Sequence, residues 1–373
     1  MLAPLDPAAL PPGVRARFIA GVNGLRVHIL EAGFGKPDRP CVLLLHGFPE
    51  LGYSWRKVMP LLAAAGWHVV APDQRGYGRT TGSNADDPAS FGMLNLVRDA
   101  LGLVWALGRG RVAAVVGHDF GAPVAAWCAL LRPDIVGAVA LMSAPFDGPP
   151  AQPFGAAGDD GGMATALARL DPPRRHYQWY YATAAANADM WHAPQGVHAF
   201  LRAYYHHKSA DWPGNQPFPL SAWSAGELAK LPTYYVMRRD QGMAATVAAE
   251  MPTAAAIAAC RWLPEHELGV CSAEYARTGF QGGLNWYRCR TEGIGLAALQ
   301  VFSGRTIDVP AVFIAGRQDW GIYQVPGALA RMQQKICTRM QGCHLIDGAG
   351  HWVQQEQPEQ VGALLLRFLE QQR

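Results

Sequence analysis

Two hydrophobic rhythms alternate along this chain. Residues 17–22 and 25–32 flank Asn23-Gly24, a dipeptide suited to a two-residue hairpin turn. Short, nearly unbroken apolar runs follow at 41–45, 67–71 and 112–116, and another starts at Val136. Between them, residues 91–107 and 122–131 read as helices. Buried strands alternating with helices predict right-handed crossovers and a mostly parallel sheet covered on both faces. The alternation stops after Ser143-Ala144-Pro145. Residues 152–162, rich in Gly, Ala and Pro, read as a hinge, and from there to about Ser303 the pattern is helical without a clear buried strand. The core rhythm resumes at 309–315 and 343–347. Gln357-Pro358 then opens a last helix on which Val361, Leu364, Leu365 and Leu369 recur at helical spacing. The expected fold class is α/β, with a core at 1–147 and 304–373 and an inserted helical cap, or lid, at 148–303.

Composition sharpens this picture at two points. Half of the 373 residues are hydrophobic and only 16% are charged, against about 25% in ordinary soluble domains. That suits a large core with an apolar pocket. Nine of the twelve tyrosines and six of the twelve tryptophans fall between 148 and 303, where packing residues on a cap would also wall a pocket.

The rest mostly excludes. A net charge of +3 gives no case for nucleic acid or an anionic membrane as partner. The pairs Arg174-Arg175 and Arg238-Arg239 read as solvated. Seven cysteines without C-x-x-C spacing read as reduced thiols of a cytoplasmic protein. No zinc pattern is present, so no metal is expected, and His206-His207 lacks the i, i+4 spacing of a helical metal site and reads as surface. The first 12 residues hold no basic residue and no long apolar run, so no secretory signal is expected. No stretch approaches the roughly 18 apolar residues of a membrane span. A homo-oligomer stays open.

The chemistry centres on Gly117-His118-Asp119-Phe120-Gly121. It joins an apolar strand to a helix, the G-x-Nu-x-G arrangement in which a sharp turn lifts one side chain above a sheet. The lifted residue is an aspartate where serine is usual. A serine attacking a saturated carbon forms an inert ether; a carboxylate forms an ester that water can cleave. Asp119 therefore points to substrates with an electrophilic sp³ carbon, such as epoxides or organohalides. His46-Gly47-Phe48-Pro49-Glu50 ends the strand at 41–45, where a loop would supply one oxyanion-hole amide, from Phe48; the other belongs to Phe120. A cis Pro49 would set the shape of that loop. Asp319 and His351 end the two last strands, giving the chain order nucleophile, acid, histidine. Asp73-Gln74-Arg75-Gly76-Tyr77-Gly78-Arg79 reads as a loop brace.

Taken together, H-G-F-P-E, D-Q-R-G-Y-G-R, G-H-D-F-G and G-A-G-H-W resemble the epoxide hydrolases of the α/β-hydrolase fold. Residues 278–288, with Tyr287, resemble that family's cap segment carrying a ring-opening tyrosine; 176–181 resembles the second such segment, with Tyr177 preferred over Tyr180 and Tyr181. The resemblance runs from about Phe18 to the last helix. It implies an eight-stranded, mostly parallel sheet flanked by helices, and a small apolar epoxide and water as partners, with no cofactor. It implies Asp119 as nucleophile, His351 as general base oriented by Asp319, and Tyr177 and Tyr287 as donors to the epoxide oxygen. Glu50 and His118 resemble positions that order water, with His46 and Pro49 in secondary roles.

The nearest rival is a dehalogenase with the same nucleophile. Haloalkane-cleaving relatives carry a tryptophan after that residue, and haloacid types an arginine; Phe120 offers neither an N–H nor a charge on its side chain. A non-catalytic ligand sensor is the rival from another class, against which stands the complete Asp-Asp-His set. A serine esterase is disfavoured because Ser143 has no glycine frame.

Overall fold

In the structure, a computed structural model describing residues 2–151 and 161–372, Asn23 and Gly24 both take positive φ, 48° and 80°. They fold β1 (Val14–Val22) back on β2 (Leu25–Ala32), as a primed turn requires. The remaining strands are β3 (Cys41–Leu45), β4 (His68–Pro72), β5 (Ala114–His118), β6 (Val139–Met142), β7 (Arg174–His176), β8 (Val236–Arg238), β9 (Ala311–Gly316) and β10 (Met340–Ile346). One sheet of eight strands has the order β1-β2-β4-β3-β5-β6-β9-β10, and within it β2 alone runs against the others. β3, β4, β5, β6 and β9 are buried at every position, as strands covered on both faces must be. Helices α1 (Met93–Ala106) and α2 (Gly121–Leu131) belong to this cover. This is the α/β-hydrolase sheet that the alternation and the resemblance led us to expect.

β5 begins at Ala114, two residues later than its apolar run, because Val112 makes only an isolated bridge to Val136. The strand therefore ends on His118, and Asp119 opens the turn into α2. The glycine frame of that turn is sterically required. A Cβ on Gly121 would lie 2.4 Å from the Leu45 carbonyl oxygen, and one on Gly117 2.1 Å from that of Gly121. Both obstacles are backbone and cannot swing aside. Gly121→Ala is expected to cost about 3 kcal/mol, read as a lower urea midpoint with an unchanged slope.

Between β6 and β9 the described chain is mainly helical, including α3 (Tyr177–Tyr181), α4 (Gly196–Lys208), α5 (Glu265–Thr278) and α6 (Gln281–Thr291). One feature departs from the all-helical expectation: β7 and β8 pair antiparallel, with Arg174 opposite Arg238. Two three-residue strands rich in arginine show no apolar alternation, so nothing in the pattern marks them. Arg238 and Arg239 are exposed, as expected, but Arg174 and Arg175 are half-buried. Arg175 lies over the Tyr180 ring at 4.2 Å and donates to the Gln241 carbonyl. His207, expected at the surface, is fully buried between Trp212 and Tyr234, because α4 is covered on both sides near its end. The hinge reading falls largely on 152–160, outside the described residues.

The insertion is bolted to the loops at the carboxyl ends of the strands. Tyr205 Oη donates to the Pro49 carbonyl, Tyr275 Oη to that of Glu50, and Trp286 Nε1 to that of Arg75. Gly76 and Gly282 pack backbone to backbone: a Cβ on Gly282 would fall 2.0 Å from the Gly76 oxygen. After β10, α7 (Val353–Glu356) and α8 (Pro358–Glu370) close the chain. Among the described residues no helix is long and apolar enough to cross a membrane. All seven cysteines are free thiols.

Candidate active site

Asp119 sits at φ 50°, a left-handed conformation rare for a residue with a side chain. The turn lifts its carboxylate toward Gly47 of the β3 loop, where an added Cβ would lie 2.3 Å from Oδ1. This close approach lets the Phe48 amide donate to Oδ1 at 2.9 Å. Of the two expected oxyanion amides, Phe48 is thus already on the carboxylate; the Phe120 amide makes no hydrogen bond to it. The other oxygen, Oδ2, lies 3.3 Å from His351 Nε2. His351 Nδ1 in turn faces Asp319 Oδ1 and Oδ2 at 3.1 and 3.2 Å, and the Gly321 amide fixes Asp319 at 2.7 Å. The three residues that the chain order singled out are therefore one contiguous, buried constellation.

Its electrostatics follow from that geometry. Burial alone would raise the Asp119 pKa. The close approach of His351, then the charge of Lys208, override burial and hold the carboxyl well below the usual range. His351 is pulled both ways: burial and Lys208 depress it, while Asp319 and Asp119 bring it above its ordinary value. Asp119 is therefore a carboxylate across the neutral range, next to an imidazole able to exchange a proton.

Above Asp119 opens a cavity of about 690 Å³, lined mostly by apolar side chains, with Asp119, Tyr177 and Tyr287 on its wall. The structure sorts the three neighbouring tyrosines by their partners. Tyr180 Oη donates to Asp189 Oδ2, and Tyr181 Oη pairs with Tyr204 Oη; neither lines the cavity. Tyr177 Oη accepts from Gln178 Nε2 at 3.1 Å, which leaves its own hydrogen unclaimed. Tyr287 Oη has no hydrogen-bond partner among the described residues, and its ring is held edge-on by Phe48, Phe120 and Tyr181 at centroid distances of 5.0–5.5 Å. Burial first, and the Asp119 charge after it, raise both phenols above their ordinary pKa, so both are protonated donors.

Glu50 and His118 stand beneath the site rather than on the cavity. Glu50 Oε2 accepts from His118 Nδ1 at 2.7 Å, and Oε1 accepts from Gln354 and Gln355. His118 Nε2 donates to the His351 carbonyl at 2.7 Å, as does Ser143 Oγ at 3.2 Å. All these polar atoms have protein partners, and the contacts from His118 and Ser143 brace the His351 backbone. His46 is also a brace: Nδ1 donates to the Gly47 carbonyl and Nε2 accepts from the Gln74 amide, while burial depresses its pKa. The Phe48–Pro49 peptide is cis, and Pro49 offers its carbonyl to Tyr205. Asp73 ties the loop from 73 to 79 together, accepting from the Gly52 and Arg79 amides and from His28.

Two residues escaped sequence reasoning. Glu356, near the end of the chain, accepts from the Gly350, Trp352 and Ala210 amides and so holds the backbone on both sides of His351. Lys208, the last residue of α4, is buried beside the constellation, and its carbonyl accepts from the His351 amide. Glu356 lies five residues past the histidine, a spacing that could have drawn notice. A lysine ending a helix gives no such signal, because it reads as a partner of the helix dipole. Among the described residues no group of His, Cys, Asp and Glu has the arrangement of a metal site.

Comparison with known proteins agrees with this geometry. The family model for the alpha/beta hydrolase fold matches residues 40–358. Epoxide hydrolase A of Mycobacterium tuberculosis is 34% identical over 368 residues, covering 96% of this chain and 98% of the relative. An epoxide hydrolase of Caballeronia sordidicola is 31% identical over 358 residues, covering 96% and 94%. Among solved structures, an epoxide hydrolase from an endophytic Streptomyces superposes with a TM-score of 0.77 at 31% identity, covering 96% of both chains. Epoxide hydrolase I of potato superposes at 0.74 and 28% identity, covering 96% and 99%.

Proposed function

Because the chain belongs to the α/β-hydrolase fold family and, within it, to the epoxide hydrolases, we propose that it opens an epoxide to a vicinal diol through a covalent ester on Asp119. The observation carrying this reading is the carboxylate held on a strained, glycine-framed turn with a donor on one oxygen and an imidazole by the other. Oδ1 already rests on the Phe48 amide, where an ester carbonyl oxygen would rest. Oδ2 is then the attacking atom. As it bonds to the epoxide carbon, the ring C–O bond breaks and the oxygen takes a proton from Tyr177 or Tyr287. His351, oriented by Asp319, next removes a proton from water, whose oxygen attacks the Asp119 carbonyl carbon. The tetrahedral oxyanion forms on the Phe48 and Phe120 amides. Its collapse expels the diol oxygen, which His351 protonates, and the proton left on Asp119 returns to the phenolate. No cofactor takes part. Residues 148–303 serve as the cap that carries the tyrosines over a core made of 1–147 and 304–373.

The substrate is a small apolar epoxide, given the lining of the cavity. A dehalogenase would need an N–H on the departing halide. Phe120 has none on its side chain, and the indole N–H of nearby Trp286 is committed to the Arg75 carbonyl at 3.0 Å. Incubation with styrene oxide and, separately, with a chloroalkane is expected to yield diol from the first and no halide from the second. Halide without diol would overturn the reading.

The tyrosines give a sharper expectation. Tyr177→Phe and Tyr287→Phe should each slow ester formation about 10²-fold, and the double variant about 10⁴-fold. Hydrolysis of the ester should be little changed, since the phenols act on the first step. Stopped-flow measurement of the two phases separates them; equal slowing of both would contradict the assignment.

A further inference from the structure

Lys208 is 3% exposed, yet no ion pair among the described residues includes it. Its ammonium lies instead among four aromatic rings, 4.7 Å from the centroid of Tyr235, 5.4 Å from those of Tyr204 and Trp352, and 5.7 Å from that of Tyr234. Ring faces stabilise a cation without neutralising it. Burial opposes the charge, while Asp119, Asp319 and Glu50 favour it alongside the rings. Trp352 forms the link: its ring is 4.7 Å from that of His351. The backbones are also joined, because the Lys208 carbonyl accepts from the His351 amide at 2.9 Å and Gly350 packs against the same carbonyl.

We propose that Lys208 is a positioning residue for the hydrolytic step, an unpaired buried cation that keeps His351 neutral and able to accept a proton once Asp119 has become an ester. This rests on the ester mechanism above. What matters is the balance of charge around a single ring. Asp119 faces His351 from the elbow and Asp319 from the loop after β9. His118, with Glu50 behind it, faces it from the end of β5. Lys208 faces it from the end of α4, and Glu356 of α7 holds the adjoining backbone. In the free enzyme the two near carboxylates favour the imidazolium. Esterification of Asp119 removes one negative charge at the moment a base is required. Asp319 remains, and alone it would still hold the proton on His351; Lys208 opposes it. The directions agree: burial lowers the Lys208 pKa while Asp119, Asp319 and Glu50 raise it, and Lys208 in turn lowers those of Asp119 and His351.

The test is stopped-flow kinetics with styrene oxide, reading ester formation and ester hydrolysis separately from pH 5 to 9 in wild type, Lys208→Met and Lys208→Arg. His351 acts as a base, so hydrolysis is lost as pH falls through its pKa, and raising that pKa moves the acid limb upward. Lys208→Met is expected to move this limb up by about one pH unit, slowing hydrolysis roughly 10-fold at a pH below both limbs. Ester formation should persist, since Asp119 stays ionised. Lys208→Arg retains the charge and should keep the wild-type limb. A limb unmoved in Lys208→Met with ester formation intact overturns the proposal, as does an equal shift in Lys208→Arg. If Lys208→Met fails to fold, Lys208→Gln carries the same expectation. Absence of any ester in the wild type would instead bring down the mechanism beneath it, and this assignment with it.

Discussion

A His351→Gln variant is expected to consume one equivalent of epoxide and then stop. Ester formation needs an ionised Asp119 and the two phenols: the imidazole is the strongest of the groups that favour the carboxylate, but the Phe48 amide and the Lys208 charge still favour it when the imidazole is gone. Release of the diol does depend on it, because neutral water attacks a carboxylic ester slowly without a base. Steady-state turnover should therefore fall by about 10³- to 10⁴-fold while the first phase survives. The fold should tolerate the change, since the brace from His118 and Ser143 is to the backbone carbonyl of residue 351, not to its ring. Mass spectrometry of the stalled enzyme should show one substrate added to the peptide that contains Asp119. A variant that lost the first phase equally would mean that His351 serves attack rather than hydrolysis.

Asp119→Asn should abolish both phases, by roughly 10⁴-fold or more. A neutral amide oxygen is a poor nucleophile toward a saturated carbon, and no second carboxylate lines the pocket close to the phenols: the only other acid among the described residues of its wall, Asp147, is paired with Arg331. Stability should fall as well. Asparagine tolerates the left-handed conformation at φ 50° at least as well as aspartate, but the folded state holds this carboxyl below its ordinary pKa, so its ionised form stabilises the fold above the unfolded pKa and the amide loses that contribution. Thermal unfolding at neutral pH should occur at a lower temperature than in the wild type, the difference shrinking as pH falls through the carboxyl range. The mass of the Asp119 peptide, read alongside the assay, excludes deamidation as a source of activity.

How far the sequence revealed this site depended on whether its signals were local. The elbow was legible because glycines, strand and helix stand side by side in 112–131. Asp319 and His351 were legible because each ends an apolar run. Tyr177 was harder to single out: three tyrosines in five residues look alike until their partners are known, and Asp189 and Tyr204 are what remove Tyr180 and Tyr181 from the cavity. Glu50 and His118 sit at the expected places in the chain, but the glutamines that saturate Glu50 come from about 300 residues away. No local pattern discloses such a contact. Lys208 was invisible for the same reason, since it meets the His351 loop far away in the chain, whereas Glu356 left only its five-residue spacing from the histidine as a signal. The β7–β8 ribbon was missed because three-residue strands bearing arginines have no periodicity to detect.

The central claim is that a side-chain oxygen of Asp119 enters the product. A single turnover with enzyme in excess over styrene oxide, run in ¹⁸O-labelled water, tests it most directly. The mechanism predicts that the first diol contains only ordinary oxygen and that one ¹⁸O appears in the carboxylate of the Asp119 peptide. Label in the first diol, with an unlabelled peptide, would mean that water attacks the epoxide itself and would contradict the account.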